Sequence, residues 1–563
     1  MIKRMKPGGY PGKVALLGLI FLLVKIPSLR AGENILSHTD PDGAGIAVEA
    51  AFEPHGRWSF VPLEVTLKQA GGKAAEWQLM MEAPGYGRGS FRSGVGLLAK
   101  TRQTRASILL VGGTTTYYGS SSNPFYLSAK RAGGGSVRNS FGGSGGRNGG
   151  TDPLVSTGLS LSSGGTAFDC TLAPSDWRAY AGYSGLVVKE SEWNGMAPAA
   201  RSAIRQWVRL GGRLVVADAT PGSFSGLPVP DSASTGGMVS RGGVKMLTQE
   251  GGDTFSSALD QLEQQRDSNW FHSAIEGNTL NEWEVRAPGL FAAGMGQGVI
   301  VLMILVVLAF AVLVGPVNLF LLAPARRRHR LFFTTPLISL GAGVLLVVAV
   351  LLSDGLGGKG RRHVWLESVP AENTAYLVQH QHSRCGAMFS TGFEIPEAAY
   401  FAPLSMDHLS GSFEVSLEAD KVRAEGPWFS SRQEQGFLLA VARPGRGRLE
   451  LGGTTERPTL TSAFDFPLAS CYWLAPDGES WWKCGELGQG TAVALAPATQ
   501  QEMAAAVAEF TGAAPAEYEP ALETATRRPG YFVALAPRVA AIETHRSIKW
   551  DTRGIVTGPV ATP

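Results

Sequence analysis

Apolar and polar positions change their period along this 563-residue chain, and each change marks a different kind of element. Near the N-terminus apolar and polar residues alternate in Trp58-Ser-Phe-Val-Pro-Leu-Glu-Val-Thr-Leu67 and again in Glu76-Trp-Gln-Leu-Met-Met-Glu82. A two-residue period is that of strands half buried in an antiparallel sheet. Gly71-Gly72 and Pro84-Gly85 stand between and after them as turns. The pattern predicts a small immunoglobulin-like β-sandwich over residues 45–104.

The alternation then gives way to short uninterrupted apolar runs: Ser107-Ile-Leu-Leu-Val111, Gly185-Leu-Val-Val188 and Arg213-Leu-Val-Val-Ala217. Runs of this kind suit strands covered on both faces. Between the second and third, Met196, Ala200, Ile204, Trp207 and Val208 recur every three or four residues, which defines one apolar helix face. Ser191 is placed to cap that helix, Pro198 sits in its first turn and Gly211-Gly212 ends it. Ile204 and Trp207 are expected against a sheet, with Arg201 and Arg205 in solvent. This is a βαβ unit, whose crossover is right-handed over parallel strands. An α/β domain over 105–285 is predicted, with a flexible Gly-rich insertion at 133–150.

The third regime has no charged positions. No Asp, Glu, Lys or Arg occurs between Arg286 and Arg326, or between Arg330 and Asp354. As helices, Val299–Leu322 and Leu331–Leu352 would measure roughly 36 and 33 Å at ~1.5 Å per residue. Either crosses a hydrocarbon core of ~30 Å. A two-helix transmembrane hairpin over 290–353 is predicted, with Gly315, Pro316 and Asn318 kinking its first span or ending it early. Four arginines in the connecting loop 323–330 place that loop in the cytoplasm. Lys3, Arg4, Lys6 and Lys13 precede the apolar run Val14–Val24, so residues 1–31 read as a signal peptide or signal anchor. Together these signals predict a protein of the cytoplasmic (inner) membrane with its N- and C-terminal regions outside the cytoplasm. The lipid bilayer is its first partner.

Beyond the hairpin, strand patterns return at His363–Val369, Thr374–Gln379, Ser412–Glu418, Gly436–Val441 and Arg448–Leu451, separated by turns. They predict a β-rich exported domain over 360–485. The remaining segment, 486–563, offers an amphipathic helix at Thr499–Phe510 and a strand at Tyr531–Leu535, so the C-terminal part is α+β. The pattern of Ala541–Gly558 assigns it to no element.

Composition and charge narrow the function. A length of 563 residues suggests about three or four domains. Net charge is only +3, so no nucleic-acid partner is expected. Neither span holds the ionisable residue that would mark an ion path. The four cysteines, Cys170, Cys385, Cys471 and Cys484, fall in regions predicted to be exported, where disulfides persist. Cys471 and Cys484, close in sequence, are the expected pair. His380 and His382 would share a strand face near Cys385, but spacing indicates no fourth ligand, and solvated strand histidines are commoner than metal sites. Gly142-Gly-Ser-Gly-Gly146 matches Gly-x-Ser-x-Gly yet lies within the Gly-rich insertion, not between a strand and a helix. Trp473, Trp481 and Trp482 near two cysteines read first as core, and second as a platform for stacking sugars. No catalytic, cofactor-binding or metal residue is assigned.

The string Tyr183-Ser-Gly-Leu-Val-Val, followed by Ala203-Ile-Arg-Gln-Trp-Val-Arg-Leu-Gly-Gly-Arg-Leu-Val-Val216, resembles class I glutamine amidotransferase-like domains of flavodoxin-like fold in large bacterial membrane proteins. Gly315-Pro-Val-Asn-Leu-Phe-Leu-Leu322, running into the Arg-rich loop, resembles their hairpin. The resemblance covers roughly residues 105–355. Active members carry a cysteine on a Gly-x-Cys-x-Gly elbow, and this chain has none. The resemblance therefore implies a fold kept without its chemistry. The expectation is a non-enzymatic envelope protein whose exported domains meet protein partners, accessory to a transporter or to envelope assembly. The alternative is a membrane-anchored hydrolase or carbohydrate-binding enzyme acting on envelope material.

Overall fold

The computed structural model describes residues 34–52, 58–84, 90–112, 124–142, 154–156, 166–183, 185–217, 236–239, 241–246, 297–354, 357–404, 411–418, 420–454, 456–512, 514–515 and 518–561. The signal segment 1–31 and most of 218–296 lie outside these. The described chain is mostly β-rich, with several sheets and two long apolar helices.

Eight strands come first: β1 (Asn34–Thr39), β2 (Gly45–Ala50), β3 (Ser59–Lys68), β4 (Ala75–Pro84), β5 (Ser90–Ala99), β6 (Gln103–Gly112), β7 (Pro124–Arg131) and β8 (Ser136–Gly142). They divide between a four-stranded sheet, β1-β2-β3-β6, and one edge of a seven-stranded sheet, β5-β4-β7-β8. Alternation in β3 and β4 follows the expected period, and Trp77, Leu79 and Met81 are all buried. Two expectations are corrected here. Ser107–Val111 is not a strand of a parallel sheet; it is part of β6, antiparallel to β3. Ser107 is exposed and Ile108 and Leu109 only half-buried, because one face of β6 borders an open groove. Nor is 133–150 simply an insertion, since Ser136–Gly142 pairs with β7. The glycines of the β7–β8 turn admit a close approach: a Cβ on Gly135 would lie 2.6 Å from the Asp40 carboxylate. Arg131 donates to Asp40 at 2.9 Å and to Asp42 at 2.7 Å beside it. Residues 143–150 are outside the described set.

The next strands are β9 (Leu154–Ser156), β10 (Thr166–Phe168), β11 (Leu186–Lys189), β12 (Arg213–Ala217), β13 (Gly236–Val239) and β14 (Gly242–Met246), in the order β10-β9-β11-β12-β14-β13. All their pairings are parallel except β13 with β14. Between β11 and β12 run α1 (Glu190–Gly195) and α2 (Pro198–Leu210), so the βαβ unit is present. Ser191 lies inside α1 and does not cap the long helix. Pro198 disfavours helical geometry at the residue before it, and Ala197 at ψ 140° separates two helices where one was expected. Ile204 and Trp207 are fully buried. Gly212 must be glycine: a Cβ there would sit 2.2 Å from the Trp207 ring.

The apolar spans form α3 (Gln297–Val312), a π-helical stretch Leu313–Leu322 holding Pro316, a 3-10 turn Ala325–Arg330 and α4 (Leu331–Asp354). The wider π turn begins just before the proline, whose missing N–H and ring disrupt regular α hydrogen bonding. The span thus runs on to Leu322 and does not end at the proline. Asn318, fully buried, donates to Thr335 Oγ1 at 2.9 Å and accepts from Thr334 Oγ1 at 2.6 Å, which ties the two helices together. Phe320, Leu321, Phe332, Phe333 and Leu337 are among the most exposed apolar side chains described.

Fifteen strands follow: β15 (Gly358–Val369), β16 (Thr374–Cys385), β17 (Phe393–Ile395), β18 (Tyr400–Pro403), β19 (Ser412–Leu417), β20 (Val422–Glu425), β21 (Glu434–Pro444), β22 (Leu449–Gly453), β23 (Pro458–Ser462), β24 (Ser470–Leu474), β25 (Trp481–Cys484), β26 (Ala492–Ala494), β27 (Ala496–Ala498), β28 (Tyr531–Leu535) and β29 (Ile548–Ala561). Twelve of them make one sheet along the path β18-β21-β16-β15-β29-β28-β24-β25-β27, with β22, β23 and β26 branching from it. Helices α5 (Gln500–Thr511) and α6 (Tyr518–Thr526) pack on it. Thr499 caps α5, with Glu502 completing a capping box.

The expected boundary at 485 does not divide this region. β29, most of which falls in the segment left without an element, lies between β15 and β28. The residues leading into it are clamped by β16: Gln379 exchanges hydrogen bonds with the Ile542 backbone at 2.8 and 2.9 Å, and Gln381 donates to Thr544 at 3.1 Å. The other three strands, β17, β19 and β20, complete the N-terminal seven-stranded sheet, where β19 runs parallel to β5 with Phe413 beside Phe91. Residues before and after the hairpin therefore share a sheet. They also share a core: the Trp58 ring lies 5.3–5.8 Å from those of Phe91, Phe401 and Trp428, and its Nε1 donates to the Phe401 carbonyl. Helix α2 packs against β16 and β21 as well as β14. Arg201 and Arg205 are consequently half-buried, not in open solvent.

Candidate functional site

Where the N-terminal sheets, α2 and the post-hairpin strands converge, a groove of about 630 Å3 remains open. β6 contributes Ser107 and Ile108, α2 contributes Gln206, and Glu418 follows β19. Its polar centre is Asp176-Trp177-Arg178, at the start of a 3-10 turn Trp177–Tyr180. Asp176 caps that turn by accepting from the Arg178 backbone N–H at 2.9 Å. The same carboxylate takes the Arg178 guanidinium side-on, at 2.6 Å to Nη2 and 3.0 Å to Nε. The fork geometry of arginine favours this paired contact over a single point of attraction. Arg178 also stands 6.0 Å from the Phe60 ring centroid, and its buried Nη1 has no hydrogen-bond partner among the described residues. Elsewhere in the lining, Ser107 donates to Glu64. The groove thus combines charged and hydroxyl groups with apolar residues such as Leu63, Ile108 and Leu109.

Behind it a polar bridge crosses from α2 to the post-hairpin sheet. Arg209 donates to Glu372 at 2.7 and 3.2 Å, and Tyr376 donates to the same carboxylate at 2.5 Å. Arg241 is buried against Trp365, 4.2 Å from the ring centroid, and donates to the Trp365 carbonyl at 2.8 Å. Burial pulls the Arg241 pKa down to about 10, which still leaves it charged at neutral pH. The arginine contacts had no signal in the local pattern, because each joins residues more than a hundred positions apart. Asp176-Trp177-Arg178 was equally silent: a charged pair around an aromatic reads as an ordinary loop.

The histidines singled out by sequence do not gather with Cys385. His380 meets the Tyr518 hydroxyl at 3.1 Å, on the α6 side, whereas the Cys385 thiol donates to Gln435 Oε1 at 3.2 Å. His363 pairs with His380 across β15–β16. All three histidines are buried, not solvated. Burial pushes His380 and His382 down to about 3 and His363 well below its usual value. Among the described residues no group of three or more His, Cys, Asp or Glu side chains is arranged to hold a metal.

Cys170 and Cys385 are buried thiols. Burial, with Glu192 and Asp169 near Cys170, pushes each up to about 12, far from a thiolate at neutral pH. Cys471 and Cys484 stand directly opposite across β24–β25, as free thiols. A hydrogen bond between them, with burial, raises Cys471; the same bond lowers Cys484. Trp473 and Trp482 also oppose each other on this hairpin and line a second groove, while Trp481 is not among its lining residues. Of Gly142–Gly146, only Gly142 is described, at the end of β8.

No family model matches this chain, and no curated protein does. Among solved structures it is similar to the yeast delta-COP-I mu-homology domain complexed with a Dsl1 WxWxV peptide, at 10% identity and TM-score 0.19, over 37% of this chain and 97% of that one. The yeast delta-COP-I mu-homology domain without the peptide gives 8% identity and TM-score 0.18, over 37% and 98%. Likeness at that level carries no argument about fold or function.

Proposed function

We propose that this protein is a non-enzymatic, membrane-anchored scaffold. In this reading its hairpin holds one exported β-rich body at the outer face of the cytoplasmic membrane, where that body meets protein partners. The pairing of β5 with β19 carries it. Strands on either side of the hairpin hydrogen-bond to each other, so the two flanking regions belong on one side of any membrane that α3 and α4 cross. Exposed apolar surface along both helices favours lipid as their surroundings. The four arginines of the connecting turn favour the cytoplasm for that turn. The flavodoxin-like, amidotransferase-derived reading of the α/β unit belongs to the same proposal. A flavodoxin-like layout requires a parallel crossover such as β11–α2–β12, while the amidotransferase descent rests on the sequence resemblance alone.

The partner surface proposed is the groove around Asp176-Trp177-Arg178, which the N-terminal sheets, α2 and the post-hairpin strands must come together to form. A photo-crosslinking residue at Gln206, facing that groove, is expected to capture a defined membrane or envelope protein in intact cells. The same probe at Lys73, on an exposed turn of the N-terminal region, is expected to capture none. Equal capture at both positions, or none at Gln206, refutes the groove as partner surface. Reporter fusions after Gly355 and Pro563 test the sidedness separately, and a cytoplasmic signal from either overturns it.

A further inference from the structure

Far from that junction, two hairpin tips flank a groove of about 440 Å3. One is the turn between β22 and β23, with Gly452, Gly453 and Thr454; the other is the turn between β24 and β25, with Pro476, Asp477 and Ser480. Trp473 and Trp482, opposed across β24–β25, line the space between the tips. Trp482 is half-buried, whereas Trp473 is 5% exposed and its buried Nε1–H has no hydrogen-bond partner among the described residues. Indole N–H groups usually find a partner when buried, so this one is an anomaly of the groove. Gly453, at φ +80°, cannot carry a side chain: a Cβ would lie 2.3 Å from the Arg457 carbonyl oxygen. The glycine pair leaves bare backbone along that wall.

We propose that this groove binds a neutral saccharide. Its volume falls within the usual range for small-ligand sites, roughly 300–1,000 Å3. Tryptophan rings present flat apolar faces that match the C–H faces of pyranose rings. The polar groups select among ligands. Asp477 Oδ1 accepts from the backbone N–H groups of Glu479 and Ser480 at 2.9 Å each, while Oδ2 accepts from Ser480 Oγ at 2.5 Å and from no other described residue. An ionised carboxylate oxygen accepts more than one donor, so Oδ2 keeps acceptor capacity for a ligand rich in hydroxyl donors. A proline-rich peptide, the other ligand that stacks on tryptophan, lacks those donors. Among the described residues no Lys or Arg lines the groove and the one charged side chain is Asp477, which disfavours phosphorylated or acidic ligands. The site is independent of the scaffold reading, since neither its residues nor its ligand enter the junction.

The test uses the full-length protein in a sugar-free detergent. It is titrated with tetrasaccharides of β-1,4-linked glucose and of β-1,4-linked N-acetylglucosamine, and with a proline-rich decapeptide. Calorimetry and tryptophan fluorescence are expected to show saturable binding of at least one tetrasaccharide. Trp482→Ala and the near-isosteric Asp477→Asn are each expected to weaken it at least tenfold. Trp482→Phe is expected to keep most of the binding, and Trp481→Ala, outside the groove, all of it. Circular dichroism establishes that each variant is folded; should Trp482→Ala unfold, Asp477→Asn decides. The proposal falls if neither tetrasaccharide binds the folded wild-type protein, if the decapeptide saturates in their place, or if binding survives the deciding variants.

Discussion

The βαβ unit and the aromatic junction are both built around buried tryptophans, yet they reach that state by opposite routes. Trp207 packs on the Tyr180 ring, 5.9 Å away, and over Gly212, so its closest cover comes from one short stretch, Trp177–Ala217, although α2 also meets β14, β16 and β21. Trp58 is buried by Phe91 on its own side of the hairpin and by Phe401 and Trp428, more than three hundred positions later. Closing a longer loop costs only about 0.6 kcal/mol per doubling of its length. Thermodynamics therefore permits the junction, but timing does not permit it early. The N-terminal seven-stranded sheet lacks three strands until the chain has passed through the hairpin and emerged again. The difference teaches that the hairpin is an internal connection of one folded body.

The sharpest way to break this comparison is to stop the chain after Asp354. The truncated protein should lose protease resistance throughout 58–112, because β5 loses its neighbour and Trp58 and Phe60 lose their cover. Co-expression of residues 355–563, exported separately, should restore part of that resistance. A truncated chain as resistant as the whole would show that the N-terminal sheets stand alone. Trp58→Ala makes the same cut at one residue. A cost of about 3–5 kcal/mol is expected, as for other buried aromatics truncated to alanine, measured as a loss of thermal stability in detergent.

Acid should separate the regions by a comparable amount. His363, His380 and His382 are neutral in the fold, with pKa values depressed by burial, and take up protons near pH 6.5 when unfolded. The unfolded chain thus binds more protons between about pH 6.5 and 3, so stability falls as pH falls through that window. Three such groups give a slope of up to about 4 kcal/mol per pH unit. The βαβ stretch Leu186–Ala217 contains no histidine and should lack this term. Hydrogen exchange between pH 7 and pH 5 should therefore show β15 and β16 losing protection first. Equal loss in both regions would place the acid-sensitive groups elsewhere.

The smallest expected effect lies in the hairpin itself. Asn318→Leu removes the tie to Thr334 and Thr335 but leaves an apolar residue at the helix interface. Hydrogen bonds between transmembrane helices average about 0.6 kcal/mol and reach about 1.7. Abundance in the membrane should be unchanged, with a melting shift of a degree or two. A protein that no longer accumulates would mean that Asn318 does more than hold two helices together.

How far the sequence could be read depended on how locally each element is determined. The periodicity of Met196 to Val208, the glycine stop at Gly211 and the charge-free spans are properties of contiguous residues, and each corresponds to a described helix. β28 and α5 were legible for the same reason. Ser107–Val111 misled because an apolar run looks alike in a parallel sheet and at the rim of a groove, and only the identity of its neighbour, β3, distinguishes them. The Gln379-His380-Gln381-His382 alternation was visible, but its meaning was not. One face of that strand grips the backbone at 542 and the other carries buried histidines, and neither partner lies nearby in the sequence.

By itself, then, the sequence determined what short-range forces determine: helix faces, strand periods, the hairpin, and the absence of the nucleophile pentapeptide. Tertiary structure alone decided which strands became neighbours, that β5 and β19 close one sheet across the hairpin, and that Asp176 and Arg178 face a groove. It also decided that Trp473 and Trp482 stand between two hairpin tips. Pairing partners are chosen by burial and hydrogen bonding summed over the whole chain. A strand's own residues record that it needs a neighbour, but not which one it will have.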